Sequence, residues 1–157
     1  MSDPQRHFLF SAAPLGLSDA VAAIILVDGD GYLMQRRDDR ADIWYPGHWG
    51  FFGGAVEVNE EPLAALRREL SEELDLTVGD TPHLFAQFDF DLDPMGFKRY
   101  YRMFYTVTIS AHECRGLTLH EGAEMHVFAG ADALRERISP YDSFALFLHY
   151  AHKRLAR

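Results

Sequence analysis

The spacing of apolar residues changes period along the chain, and each change predicts an element. Ala20–Asp28, rich in Val and Ile, predicts a buried strand ended by the turn sequence Asp28-Gly29-Asp30-Gly31, with Tyr32–Arg36 returning as its partner. From Asp38 to Gly54 periodicity is lost, and Pro46, Gly47, Gly50, Gly53 and Gly54 frame Trp44, Trp49, Phe51 and Phe52, which predicts a loop. Leu63, Leu66, Leu70 and Leu74 then recur at spacings of three and four, with Pro62 in the first turn, where a helix tolerates proline. Leu84–Asp93 alternates, with Phe88, Phe90 and Leu92 on one face and Asp89, Asp91 and Asp93 on the other, and Phe97–Ser110 is aromatic and β-branched. These predict two strands in a hairpin around Pro94-Met95-Gly96. Met125–Phe128 predicts a short strand, Ala131–Arg137 a short helix, and Ser143–Arg157 an amphipathic helix whose Lys153, Arg154 and Arg157 suit its negative end. The expected architecture is α+β, an α/β/α arrangement with a mixed sheet.

Composition narrows the class. The chain has 157 residues, 48% of them hydrophobic, which suits one domain spanning 1–157 with a sizeable core. Residues 1–18, with Pro4, Pro14 and Gly16, are expected to form an extended arm laid over the body, anchored by Phe8, Leu9 and Phe10. Fifteen Lys+Arg against 24 Asp+Glu give a formal charge of −9, which argues against a nucleic-acid polymer or an anionic membrane as partner. No apolar run approaches the ~20 residues of a membrane span. The first residues lack the pattern of a secretory signal, and one cysteine, Cys114, makes no intrachain disulfide, so a cytoplasmic location is expected.

The chemistry concentrates on the leucine-striped helix. At about 100° per residue, Glu69, Glu72 and Glu73 share an arc of about 100°, read as clear of the leucines. Like charges this close destabilise a bare helix unless a cation neutralises them. Carboxylate oxygens suit a hard divalent ion, Mg²⁺ or its substitute Mn²⁺. Other metal patterns are weak: Asp89-x-Asp91-x-Asp93 starts like a calcium loop, yet Pro94 stands at its sixth position and Tyr100 at its twelfth. The eight histidines show no zinc-ligand spacing, and no phosphate-binding GK[ST] loop occurs.

A longer pattern surrounds these glutamates. Gly54, five residues, Glu60, seven residues, then Arg68-Glu69-Leu70-x-Glu72-Glu73-x-x-Leu76 resembles the signature of the Nudix (MutT-like) hydrolases at every position but one. That signature has glycine where this chain has Asp75. The position is a left-handed helix cap, which aspartate tolerates. The resemblance is strong over this 23-residue box, Gly54–Leu76, and extends by layout to the Trp49–Gly54 approach and a later Glu121-Gly122-x-Glu124.

The resemblance implies a Nudix-type α/β/α sandwich and Mg²⁺-dependent hydrolysis of a nucleoside diphosphate linked to another group, that is, a pyrophosphohydrolase acting on a phosphoric anhydride. It implies Glu69, Glu72, Glu73 and the Gly53 carbonyl as metal ligands, with Arg68 and Glu60 paired to orient Glu69. The proton acceptor is left among Glu69, Glu121, Glu124 and His120, with Glu121 ahead of Glu124. Drawing an anionic substrate to an acidic protein makes Arg36, Arg37, Arg40, Lys98, Arg99 and Arg102 expected phosphate contacts. Asp142, in Ser139-Pro140-Tyr141-Asp142, has two readings, reader of a base edge or cap of the last helix. The expected substrate is an (oxidised) nucleoside triphosphate or a nucleotide sugar. A glycosyl hydrolase of the GDP-mannose type, a non-catalytic nucleotide-binding module and an isomerase of an allylic diphosphate are the alternatives; the first typically departs from the acidic box, the second loses its carboxylates, and the third needs a positioned cysteine. Aromatic strands make a homodimer plausible.

Overall fold

The computed structural model describes residues 19–90 and 100–156. The expected arm 1–18, the turn at Pro94-Met95-Gly96 and the expected contacts Lys98 and Arg99 lie outside the described residues. Six strands form one mixed sheet: β1 (Ala20–Val27), β2 (Gly31–Arg36), β3 (Trp49–Gly50), β4 (His83–Phe90), β5 (Tyr100–Ile109) and β6 (Glu124–Phe128). The helices are α1 (Pro62–Leu74), α2 (Ala111–Arg115), α3 (Gly130–Ala133) and α4 (Pro140–Leu155). The order is β3-β2-β1-β5-β4 with β6 also on β2; β1 and β5 run parallel, while the other strand pairs are antiparallel.

Strand alternation builds two cores. Val21, Ala23, Ile25 and Val27 of β1, with Leu33, Phe52, Tyr105, Val107 and Ile109, meet Leu66, Leu70 and Leu74 of α1. Ala22, Ile24 and Leu26 face the other way and join Tyr32, Met34, Trp49, Phe51, Phe104 and the α4 residues Ala145 and Leu146. A strand apolar on every residue is therefore covered on both faces, which is the α/β/α sandwich. Leu66, Leu70 and Leu74 are fully buried, each worth roughly 1.5–3 kcal/mol of transfer free energy.

Several expectations shift. The segment read as loop up to Gly54 enters the sheet: β3 pairs with Gln35 and Arg36, and bridges join Phe52 to Ala23 and Ala55 to Ala20. Residues 49–55 thus fill the gap where β1 and β2 diverge, a contact distant in sequence that local periodicity does not encode. The last helix begins at Pro140, three residues before the expected Ser143, with that proline in its first turn, and the short helix expected over Ala131–Arg137 is the single turn α3. The helix α2 is an addition; Ser110 caps it with a reciprocal bond to Glu113, a Ser-x-x-Glu box legible in the sequence. No helix among the described residues is long and apolar enough to cross a membrane.

Candidate active site

The site grows from the way residues 52–60 are laid under α1. Gly53 has φ 136°, and a Cβ there would lie 2.3 Å from the Val21 carbonyl oxygen, so only glycine fits. Its N–H donates to Glu73 Oε2 at 2.8 Å. At Gly54 a Cβ would stand 2.5 Å from the Glu69 carboxyl carbon. The two glycines therefore let the backbone approach both carboxylates directly. A turn through Asn59, at φ 67°, then brings Glu60 back toward the helix, where its carboxylate accepts the Glu57 N–H at 3.0 Å.

Arg68 joins this turn to the helix. Its Nε and Nη2 donate to the two Glu60 oxygens at 2.9 Å each, Nη2 also reaches the Ala55 carbonyl at 3.0 Å, and Nη1 donates to Glu69 at 2.8 Å and Glu72 at 3.4 Å. The forked geometry matches a guanidinium to a carboxylate, so lysine is not equivalent here. The Arg68 hydrogen bonds, helped by the Glu57 N–H, hold the Glu60 carboxyl down at about 2.

The three glutamates are not equivalent, which corrects the reading of one face clear of the leucines. Glu72 is exposed, whereas Glu73 is only 5% exposed. On a 100° wheel Glu73 falls about 20° from Leu66, at the margin of the buried stripe. Burial pushes its carboxyl up to about 7, and the charges of Glu121 and Glu69 add to this against the stabilising Gly53 and Gln35 donors. Glu69 is raised in the same direction, mainly by burial, with Arg68 opposing and Glu72 and Glu121 adding. Among the described residues, no three Asp, Glu, His or Cys side chains close around one point: Glu69 and Glu72 lean on Arg68, and Glu73 on Gly53 and Gln35.

The loop after α2 separates the remaining acid–base candidates. His120 Nε2 lies 2.7 Å from Asp75, and its N–H caps the Glu73 carbonyl at 2.9 Å. Asp75 itself holds the left-handed cap, at φ 54°, that the family resemblance implied. Glu124 pairs with Arg36 at 2.9 Å. Glu121 is the member of the loop whose charge acts on both Glu69 and Glu73.

The expected phosphate contacts are dispersed. Arg36 is engaged with Glu124, Arg37 donates to the Trp44 carbonyl at 2.8 Å, and Arg40 pairs with Asp42. Arg102 is buried, over the Phe104 and Tyr141 rings and 3.6 Å from Asp142. Asp142 sits in the first turn of α4, buried, accepting from Ser139 Oγ at 2.7 Å and the Phe51 N–H at 3.2 Å, so it ties α4 to the 49–55 segment. Gln35 is the residue that sequence reasoning missed. It is a lone buried polar side chain in apolar β2, and its Nε2 donates to Glu73 at 3.2 Å. That isolation was the available signal.

Comparison with known proteins agrees with this geometry. The NUDIX domain family matches residues 16–140, and the chain belongs to that family. Within it, the chain is similar to the nucleoside triphosphatase NudI of Escherichia coli, 44% identical over 54 residues that cover 34% of this chain and 37% of NudI. The match thus spans little over a third of the length of that curated relative. Its fold is similar to a MutT structure from Aliivibrio salmonicida and Vibrio cholerae work (26% identity, TM-score 0.69, covering 87% of this chain and 99% of that one). It is also similar to the solution structure of the E. coli ORF135 protein (30% identity, TM-score 0.68, 92% and 98% covered).

Proposed function

We propose that this chain is a divalent-cation-dependent pyrophosphohydrolase that cleaves the diphosphate linkage of a nucleoside triphosphate, oxidised forms included, by attack of water on phosphorus; nucleotide sugars are the second substrate class. The observation that carries the reading is the pair Glu69 and Glu73, set against Gly54 and Gly53 and braced by Arg68 on Glu60, with the charge of Glu121 acting on both. The triphosphate is preferred because NudI is named a nucleoside triphosphatase.

The donor set fits a hard cation. Both Glu69 and Glu73 are raised, chiefly by burial and further by acidic neighbours, and a cation bound between them would offset both costs. Glu69, Glu72, Glu73 and the Gly53 carbonyl would hold it, Mg²⁺ in the cell and Mn²⁺ as a substitute. When bound, such an ion neutralises phosphate oxygens and lowers the pKa of a coordinated water.

The chain's own residues supply the rest. Arg68, anchored on Glu60, holds Glu69 in position. Glu121 takes the proton of the attacking water, since His120 is turned to Asp75 and Glu124 to Arg36. Arg36 and Arg37, at the end of β2, are assigned to the phosphates, with Arg36 exchanging Glu124 for substrate. Asp142 is assigned to the nucleoside end, with Arg102 beside it at 3.6 Å, held over the Phe104 and Tyr141 rings. A Glu72→Gln, Glu73→Gln double variant tests this: hydrolysis in Mg²⁺ is expected to be lost, and hydrolysis at the wild-type rate would refute it.

A further inference from the structure

Gln35 occupies the point where α1, the 49–55 segment and the 121–123 loop meet. A buried amide needs partners on both ends, and it is planar, so fixing one end fixes the other. Its Nε2 donates to Glu73 Oε1 at 3.2 Å, while Glu73 Oε2 takes the Gly53 N–H at 2.8 Å, so each oxygen of that carboxylate has one donor. The reverse orientation of the amide would set its oxygen against the carboxylate. With nitrogen on Glu73, Oε1 faces the loop, where a Cβ on Gly122 would lie 2.6 Å from it and 3.0 Å from the Arg36 carbonyl. Gly122 has φ 91°, and Ala123 N–H donates to that same Arg36 carbonyl at 2.8 Å. The loop is therefore seated directly on the Gln35 amide, one residue after Glu121.

We propose that Gln35 is a positioning residue that orients the Glu73 carboxylate at one end of its amide and seats the Glu121-bearing loop, through Gly122, at the other. The inference rests on the reading of the acidic group as a divalent-cation site, and goes beyond it by assigning to β2 the joint setting of two acidic groups that lie on separate elements. Removing the amide frees Glu73 to take other rotamers and leaves a gap under Gly122. Outer partners of ligating groups typically alter metal affinity 10–100-fold.

The test is Mn²⁺ binding to wild type, Gln35→Leu and Gln35→Asn, followed by the electron paramagnetic resonance signal of free Mn²⁺, with thermal unfolding of each protein and substrate KM alongside. Gln35→Leu keeps the volume and loses the amide. Gln35→Asn keeps a polar group that is one methylene too short to reach both partners, and serves if the leucine variant does not fold. The expected result is Mn²⁺ affinity lowered about 10-fold or more in the folded variants. An unchanged KM for the nucleotide and a lowered kcat are expected with it. Wild-type Mn²⁺ affinity in a folded Gln35 variant overturns the role of Gln35 and leaves the cation site standing. Failure of the wild-type protein itself to bind Mn²⁺ overturns both.

Discussion

Replacing Glu73 with glutamine should stabilise the cation-free protein at alkaline pH and leave it nearly unchanged at acidic pH. In the folded state the Glu73 carboxyl is raised from 4.5 to about 7, chiefly by burial. The folded chain therefore binds this proton more tightly than the unfolded chain. Stability contributed by the group is fully present below 4.5 and is lost as pH rises to about 7. At 1.36 kcal/mol per pH unit the interval amounts to about 3 kcal/mol. Glutamine resembles the protonated acid and does not titrate, and the weaker acceptance from Gly53 and Gln35 by a neutral group is already reflected in where the carboxyl titrates. The net expectation is a gain of about 3 kcal/mol at pH 8, roughly 6–12 °C in Tm for a chain of this size. Urea and thermal unfolding of both proteins with a chelator, at pH 5 and pH 8, measure it. A wild-type-to-variant difference that is the same at both pH values would refute a raised carboxyl at Glu73. Adding Mg²⁺ at pH 8 should reverse the order, because the wild type gains binding free energy that the variant largely lacks.

The adjacent glycines separate stability from activity. Gly54→Ala brings a Cβ within 2.5 Å of the movable Glu69 carboxylate, so kcat should fall on the order of 100-fold with Tm within a few degrees. Gly53→Ala meets backbone at 2.3 Å and keeps a φ of 136°, so it should cost roughly 2–6 kcal/mol of stability in urea unfolding. His149, hydrogen-bonded to Tyr32, is held down at about 4 by burial with Lys153 and His152 adding, so the unfolded chain takes up its proton first. Relative to His149→Gln, the wild type should lose up to about 3 kcal/mol as pH falls from 6.5 to 4, a trend opposite in sign to that of Glu73 and isolated by the comparison; parallel curves would refute it.

How much of this was legible follows from which contacts are local. The helix α1 could be read from its leucine spacing, its left-handed end at Asp75 and the Arg68–Glu60 pairing from the family resemblance of the Gly54–Leu76 box, and the apolar run of β1 announced a buried strand. The insertion of residues 49–55 between β1 and β2 could not, since a glycine-rich stretch carries no periodicity and its partners, Ala20, Ala23, Gln35 and Arg36, are distant in the chain. The helical-wheel reading of Glu73 as clear of the leucines fails because it falls about 20° from Leu66 and packs against Gly53 and Gln35, which makes it the buried member of the three. The same long-range pairing divides the loop: His120 to Asp75, Glu124 to Arg36, and Glu121 toward the acidic group. Arg102, expected as a phosphate contact, is instead buried over the Phe104 and Tyr141 rings beside Asp142, a placement set by contacts distant in the chain.

The central claim is attack of water on phosphorus within a diphosphate linkage. Its most direct measurement is hydrolysis in ¹⁸O-labelled water with Mg²⁺, over nucleoside triphosphates, their oxidised forms and nucleotide sugars, with the products resolved by mass. The account predicts nucleoside monophosphate with pyrophosphate, or with sugar phosphate, and the label on a phosphate group. Nucleoside diphosphate with free labelled sugar, or no turnover with either Mg²⁺ or Mn²⁺, would contradict it.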